Sequence, residues 1–226
     1  MFKRIVLTVL CLLTGAAAQA ADVQMGGVTL KLVAPKGYCE LEKGQASDKR
    51  MIDFLNTALS KGPNELLAVS AECGELRDWR AGKRRLLEHF SQYQVEKVRR
   101  SASFTIDEAK ASCEAMRAEG QKLSDDSTKN VNDNIHEANR KIDFQGQTFL
   151  GVLAEDPNGC YVGLYQKYKA ETGAQISQLN IFYAGSIKNR EVFFYVWAPY
   201  ANDASTDAML AMVQSQVAVL KAANGL

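Results

Sequence analysis

Residues 149–168 read FLGVLAEDPNGCYVGLYQKY, and this stretch sets the fold class. Phe149 to Leu153 reads as a strand, and Tyr161 to Tyr168 as the strand that returns beside it. Between them Asp156-Pro157-Asn158-Gly159 is a turn, because proline suits an early turn position and Asn-Gly tolerates positive φ. The two runs predict a hairpin. Leu179 to Ile187 and Glu191 to Trp197 predict two further strands, joined by a tight polar turn at Lys188-Asn189-Arg190. Val192 to Trp197 is unbroken apolar, which places its strand centrally.

Working outward, a closing helix starts near Ser205 or Thr206. Leu210, Val213, Val217 and Leu220 share its buried face, and Asn224-Gly225 ends it. Upstream, Thr105-Ile106-Asp107-Glu108 is a capping box. Ala109, Cys113, Met116, Gly120 and Leu123 mark one apolar stripe, and Val131, Ile135, Ala138 and Ile142 a second at the same spacing. Ser124-Asp125-Asp126-Ser127 reads either as a break with a new N-cap or as part of one continuous helix. Nearer the start, Val28, Leu30 and Leu32 alternate with polar residues, as on a half-buried strand. A helix from Ser47 carries Met51, Leu55, Ala58 and Leu59 on one face and stops at Gly62-Pro63. Leu66 to Val69 predicts an interior strand. Strand, helix, strand in this order predicts a crossover with parallel strands, and Cys39 and Cys73 would lie beyond the same ends of the two. Residues 74–100 read as strand through Tyr93, Val95 and Val98, although Leu86, Leu87 and Phe90 also suit a helical turn.

The fold class that follows is α+β: an antiparallel-rich sheet flanked by helices, an α/β/α sandwich, in one domain over residues 21–226. Leu32-Val33-Ala34-Pro35-Lys36-Gly37-Tyr38 and the final Tyr195-Val196-Trp197-Ala198-Pro199-Tyr200 before the last helix resemble the corresponding ends of PsbP-like proteins, the family of the photosystem's extrinsic lumenal subunit. That resemblance implies the same sandwich and a role in binding or assisting other proteins, with no catalytic residues to carry over. The four cysteines and the charged segment after residue 104 depart from the family's pattern.

Residues 1–20 have the three-part layout of a cleavable secretory signal. Lys3 and Arg4 precede an apolar run from Ile5 to Leu13, and Ala18-Gln19-Ala20 offers a cleavage site before Ala21. The apolar run is too short for a spanning helix, which needs roughly 20 residues. Cleavage would remove two of the 27 basic residues and leave 25 against 26 acidic ones. Such a balance argues against a nucleic-acid binder and gives no general attraction to an anionic membrane. Neither stable membrane insertion nor a nucleic-acid partner is expected after cleavage. The expected compartment is the bacterial periplasm, with full secretion as the alternative.

Cys39, Cys73, Cys113 and Cys160 remain in the processed chain, an even number that suits two disulfides in an oxidising compartment. Zinc is the rival, but no Cys-x-x-Cys pair is present and neither histidine is near a cysteine in sequence. Of the three connectivities, the order of elements favours Cys39–Cys73 with Cys113–Cys160.

Chemistry is sparse. There is no Gly-x-Ser-x-Gly elbow, P-loop or dinucleotide Gly-x-Gly-x-x-Gly. His89 reads either as an ordinary half-buried side chain or as a general base, and His136 as part of a solvated helix face. Asp125, Asp126 and Asp133 lack the glycine and closing glutamate of a calcium loop. Together with Glu155 and Asp156 they read as capping or solvated carboxylates. No metal or cofactor is expected. Trp79, Arg80, Lys83, Arg84 and Arg85 form a basic aromatic stretch, a candidate patch for an anionic ligand or an acidic partner surface. The alternative is a surface segment whose tryptophan anchors the core. The expectation is a non-catalytic exported binding or accessory domain whose partner is an envelope protein or a small anionic ligand. An envelope hydrolase built on His89 or carboxylates is the alternative.

Overall fold

A computed structural model describes residues 20–138, 142–170 and 172–226, without the side chains of 20, 126–138, 142 and 170. The predicted signal residues 1–19 lie outside the described residues, as do the side chains of the second apolar stripe, His136, Asp126 and Asp133.

Strands β3 (Tyr38–Glu40), β4 (Asn64–Glu72), β5 (Phe90–Glu96), β6 (Ile142–Asp156), β7 (Gly159–Ala170), β8 (Gln175–Ile187) and β9 (Arg190–Pro199) form one antiparallel sheet in the order β3-β4-β5-β9-β8-β7-β6. The hairpin read first from the sequence is β6–β7, with Asp156 opposite Gly159. The β8–β9 turn places Lys188 and Asn189 at φ of 51° and 56°, the positive values a two-residue hairpin turn of matching twist requires. β9 is the middle strand of the seven.

Helices cover both faces. On one lie α4 (Asp203–Ala223) and a separate two-stranded sheet, β1 (Ala20–Met25) with β2 (Val28–Val33), over Tyr93, Phe194, Val196, Ile181 and Tyr183. On the other, α1 (Ala46–Leu59) and α2 (Cys73–Arg80) pack on Val69 and Ala71. α3 (Ile106–Ala138) packs on Cys160, Val162 and Phe182 through Cys113 and Met116. α3 is a single helix of 33 residues, so Ser124–Ser127 is no break. Its start is the expected box: Glu108 accepts from the Thr105 N–H at 2.7 Å and donates its own N–H to the Thr105 hydroxyl at 3.2 Å. Gly120 permits the close approach to β6, since a Cβ there would meet the Phe149 ring at 2.3 Å.

Three expectations are corrected. The predicted parallel crossover is absent: β2 pairs with β1, and β4 pairs antiparallel with β3 and β5. The neighbour of β4 is the three-residue β3, too short to show a periodicity. The structure nevertheless joins Cys39 to Cys73, because β3 sets Cys39 opposite Ala71 and Cys73 follows two residues later, with Cα atoms 5.0 Å apart. Cys113 is joined to Cys160, tying α3 to β7. Residues 73–80 are helix rather than strand, since the Glu72 side chain caps the backbone N–H groups of Gly74 and Glu75. Val98 leaves the strand at a 3-10 turn and is 81% exposed. Finally, α1 begins at Ala46, without a side-chain cap from Ser47.

Glu191, the second residue of β9, is almost fully buried and accepts the Glu96 backbone N–H at 2.9 Å. Burial, with nearby Glu96 and Glu108, outweighs that hydrogen bond and Arg99 and lifts its carboxyl from 4.5 to about 6. The folded chain is therefore penalised for ionising Glu191 above that pH, and the penalty is relieved as pH falls toward 4.5. Glu191→Gln should stabilise the protein at pH 7.5 by up to about 2 kcal/mol. Denaturant midpoints taken from pH 7.5 to 4.5 check this, and the advantage should shrink to nothing across that range.

Candidate functional groove

On the face bearing α1 and α2, the helices do not cover the middle of the sheet. They leave an open groove of about 480 Å³, within the size range of small-molecule sites. One wall is α1. Ile52 and Leu55 point into the core beneath it, and the turn-by-turn spacing of Met51, Phe54 and Ala58 sets these along the groove. The opposite wall is Trp79 of α2 with the segment from Arg85 to Glu88.

The floor comes from strand alternation. Along β5, Phe90, Gln92 and Gln94 face the groove while Tyr93 and Val95 face the α4 side. Register places Phe90 opposite Trp197 and Gln166 opposite Gln178. The Phe90 and Trp197 rings stack at 4.7 Å. Around them runs a neutral amide network. Trp197 Nε1 and the Tyr168 hydroxyl both donate to Gln166 Oε1 at 3.1 Å, and Gln166 Nε2 donates to Gln147 at 3.0 Å. Gln94 Nε2 donates to Gln92 at 2.7 Å and its oxygen accepts from Asn64 at 3.0 Å. Burying this many polar groups is tolerable because they satisfy one another. Both tryptophans of the chain, Trp79 and Trp197, line the groove.

The basic aromatic stretch is dispersed. Arg80 turns away to Asp48, which is fully buried: Nη2 lies 2.5 Å from Oδ2, and Nε contacts both carboxylate oxygens at 3.1 and 3.2 Å. Burial alone would raise the Asp48 carboxyl. The Arg80 hydrogen bonds, the Glu42 N–H, the guanidinium charge and Ser47 together hold it below its ordinary value. Arg84 bridges Glu75 at 2.7 Å and Glu88 at 3.2 Å. Lys83 is exposed. Only Trp79 and Arg85 of the five reach the groove. Arg85 and, on α1, Arg50 are exposed at its rim, and neither has an ion-pair partner among the described residues.

His89 fastens the wall. Its Nδ1 lies 2.7 Å from Glu75 Oε1, while Glu75 Oε2 accepts the backbone N–H groups of Glu88 and His89. Burial raises the Glu75 carboxyl, but His89 and these N–H donors bring it below its ordinary value. Of the other carboxylates singled out from the sequence, those whose side chains are described are paired elsewhere: Glu155 with Arg117, Asp156 with Tyr161 and Lys221, and Asp125 with Gln121. Among the described residues, no three His, Cys, Asp or Glu side chains are grouped to hold a metal ion, and no helix is long and apolar enough to cross a membrane.

The α1 wall and the glutamine floor were not singled out in the sequence. Their signal was present in β5, where Gln92 and Gln94 sit at period 2 between residues of high strand preference. Such polar positions on an interior strand mark a face that is not packed by a helix.

No family model matches the chain, and no curated protein matches it. Among solved structures it is similar to the Saccharomyces cerevisiae Ran-binding protein Mog1p, at 10% identity and a TM-score of 0.30, over 92% of this chain and 93% of that one. A likeness this distant carries no argument about function.

Proposed function

We propose that this chain is an exported, non-catalytic binding domain and that the groove holds its ligand, a small apolar molecule bearing a carboxylate. The observation that carries the reading is the pairing of apolar walls and a neutral amide floor with two arginines at the rim, Arg50 and Arg85, that have no ion-pair partner among the described residues. The walls suit an apolar body, and the guanidinium forks suit a carboxylate at the mouth. Export is supported by the leader pattern of residues 1–20 and by the two disulfides, which persist in oxidising compartments. The PsbP-like ends of the chain agree with a binding role.

Because both tryptophans line the groove, intrinsic fluorescence reports on it directly. Titration with dodecanoate should change the emission and saturate, whereas dodecanol of the same chain length should bind about tenfold more weakly. Replacing Arg50 and Arg85 together by alanine should remove that difference, a loss of about 1.4 kcal/mol, with an unchanged melting temperature. Equal binding of the acid and the alcohol by the unaltered protein would exclude the carboxylate. Affinity capture from envelope extract, read by mass spectrometry, then separates a small molecule from a protein partner. Stoichiometric recovery of a protein that the double variant still captures would overturn the groove as the site.

A further inference from the structure

Three buried glutamines lie in the floor of the groove, and one of them is incompletely bonded. Gln94 and Gln166 have both side-chain amide atoms engaged. Gln94 Nε2 donates to Gln92 Oε1 at 2.7 Å, and Gln94 Oε1 accepts from Asn64 Nδ2 at 3.0 Å. Gln166 Oε1 accepts from Trp197 and Tyr168, and its Nε2 donates to Gln147. Gln92 uses only its oxygen. Among the described residues no acceptor meets its Nε2. That atom is not sealed in the core, so it opens on the groove that Gln92 lines. The residue is nevertheless 3% exposed, set on β5 opposite Tyr195. The donations run one way, from Asn64 to Gln94 to Gln92, and each bond polarises the next. The relay thus ends on a donor aimed at the place of the ligand. Gln178, on the far side of β9, also has no side-chain hydrogen bond among the described residues, but it is half-buried and reaches water.

We propose that the ligand of the groove carries a carbonyl oxygen along its apolar chain, accepting from Gln92 Nε2, and so belongs to the oxo fatty acids rather than the plain ones. The inference rests on the reading of the groove as the site of an apolar carboxylate. A saturated chain lying over Gln92 strips water from Nε2 and returns nothing, and a buried amide left without its hydrogen bond costs more than a made bond gains. The Gln92 oxygen is already taken by Gln94, so the group that fits is an acceptor. A ketone accepts without donating, whereas a hydroxyl brings a hydrogen of its own that needs a further partner. The rim arginines hold the carboxylate at the mouth, and Gln92 then fixes how far along the chain the oxygen lies.

The tryptophan fluorescence titration with dodecanoate extends to the oxododecanoates with the ketone at each carbon from the fourth to the tenth. One isomer, or two adjacent ones, should bind about tenfold more tightly than dodecanoate, and the others should not. The infrared band of that isomer's carbon-13 ketone should move to lower frequency on binding, as an accepted hydrogen bond requires. In Gln92→Met, dodecanoate should bind at least as tightly as it does to the unaltered protein, while the favoured isomer loses its advantage. The proposal is overturned if no isomer exceeds dodecanoate, if all isomers gain equally, if the band does not move, or if the advantage survives Gln92→Met. Each of those results leaves the groove reading standing, because dodecanoate still binds. Failure of dodecanoate and of every isomer to bind overturns both. The isomer series and the infrared band use the unaltered protein, so they decide the matter even if Gln92→Met, which takes the acceptor from Gln94, folds poorly.

Discussion

Arg80→Ala should lower the stability of this protein by about 3 kcal/mol, the low end of the cost of breaking a buried ion pair. The low end applies because the Arg80 side chain is 30% exposed while that of Asp48 is fully buried. Removing the arginine leaves the Asp48 carboxylate with only the Glu42 N–H and the Ser47 hydroxyl. For a chain of this size the melting temperature should fall by roughly 6–12 °C. The pH dependence has a definite sign. Because the folded-state pKa of Asp48 is depressed, the pair's contribution is fully present above the ordinary carboxylate value and is lost as pH falls through the depressed one. The gap between wild type and variant should therefore narrow in acid. Arg85 is exposed and has no ion-pair partner among the described residues, so Arg85→Ala should leave the melting temperature unchanged. A stable Arg80→Ala variant would show that Asp48 finds another partner. The contrast also governs any binding study: lost capture by an Arg80 variant would report a loosened fold, and only Arg50 and Arg85 report on the rim.

Replacing Cys113 and Cys160 together by alanine should cost about 4 kcal/mol, from the chain-entropy estimate for a loop of this length. The two are 47 residues apart in sequence, and both are buried, 3% and 0% exposed. Alanine avoids the further penalty of a buried hydroxyl with no partner. Urea unfolding of the double variant measures the cost, and a change under 1 kcal/mol would mean that α3 is held on β7 by packing alone. The bridges should also differ in access to reductant. Cys39 and Cys73 are each half-buried, so peptide mapping after mild reduction should find their thiols free while Cys113–Cys160 is still intact.

The C-terminal strands, the last helix and the capped start of α3 were legible because each carries a period or a turn that the backbone must obey. β3 was not, since three residues make no period, and its omission produced a parallel crossover that does not exist. α2 was hidden by Tyr93 and Val95, whose strand preference was extended backward over a helix that depends on the Glu72 side chain for its cap. The groove shows a similar limit. Of its basic rim, Arg85 was visible in the basic stretch and Arg50 was not, and which arginines of the stretch face the groove depends on Asp48 and Glu75, acidic residues 32 and nine positions from Arg80 and Arg84 respectively. Gln92, Gln94, Gln166 and Gln178 meet only through strand pairing between segments far apart in the chain.

The two outer strands of the main sheet bear on how the molecule behaves in a crowd. β3 offers only three residues, and the strand itself is clamped to the start of α2 by Cys39–Cys73. β6 is long, but its pairing with β7 is interrupted between Phe144 and Gly146, between Phe149 and Gly151, and between Val152 and Ala154. Each interruption bends the strand and breaks the even row of N–H and C=O groups that an incoming strand would need. Neither border presents a regular template, so copies of this chain should stay apart at concentrations where an open, flat border would recruit them into fibrils.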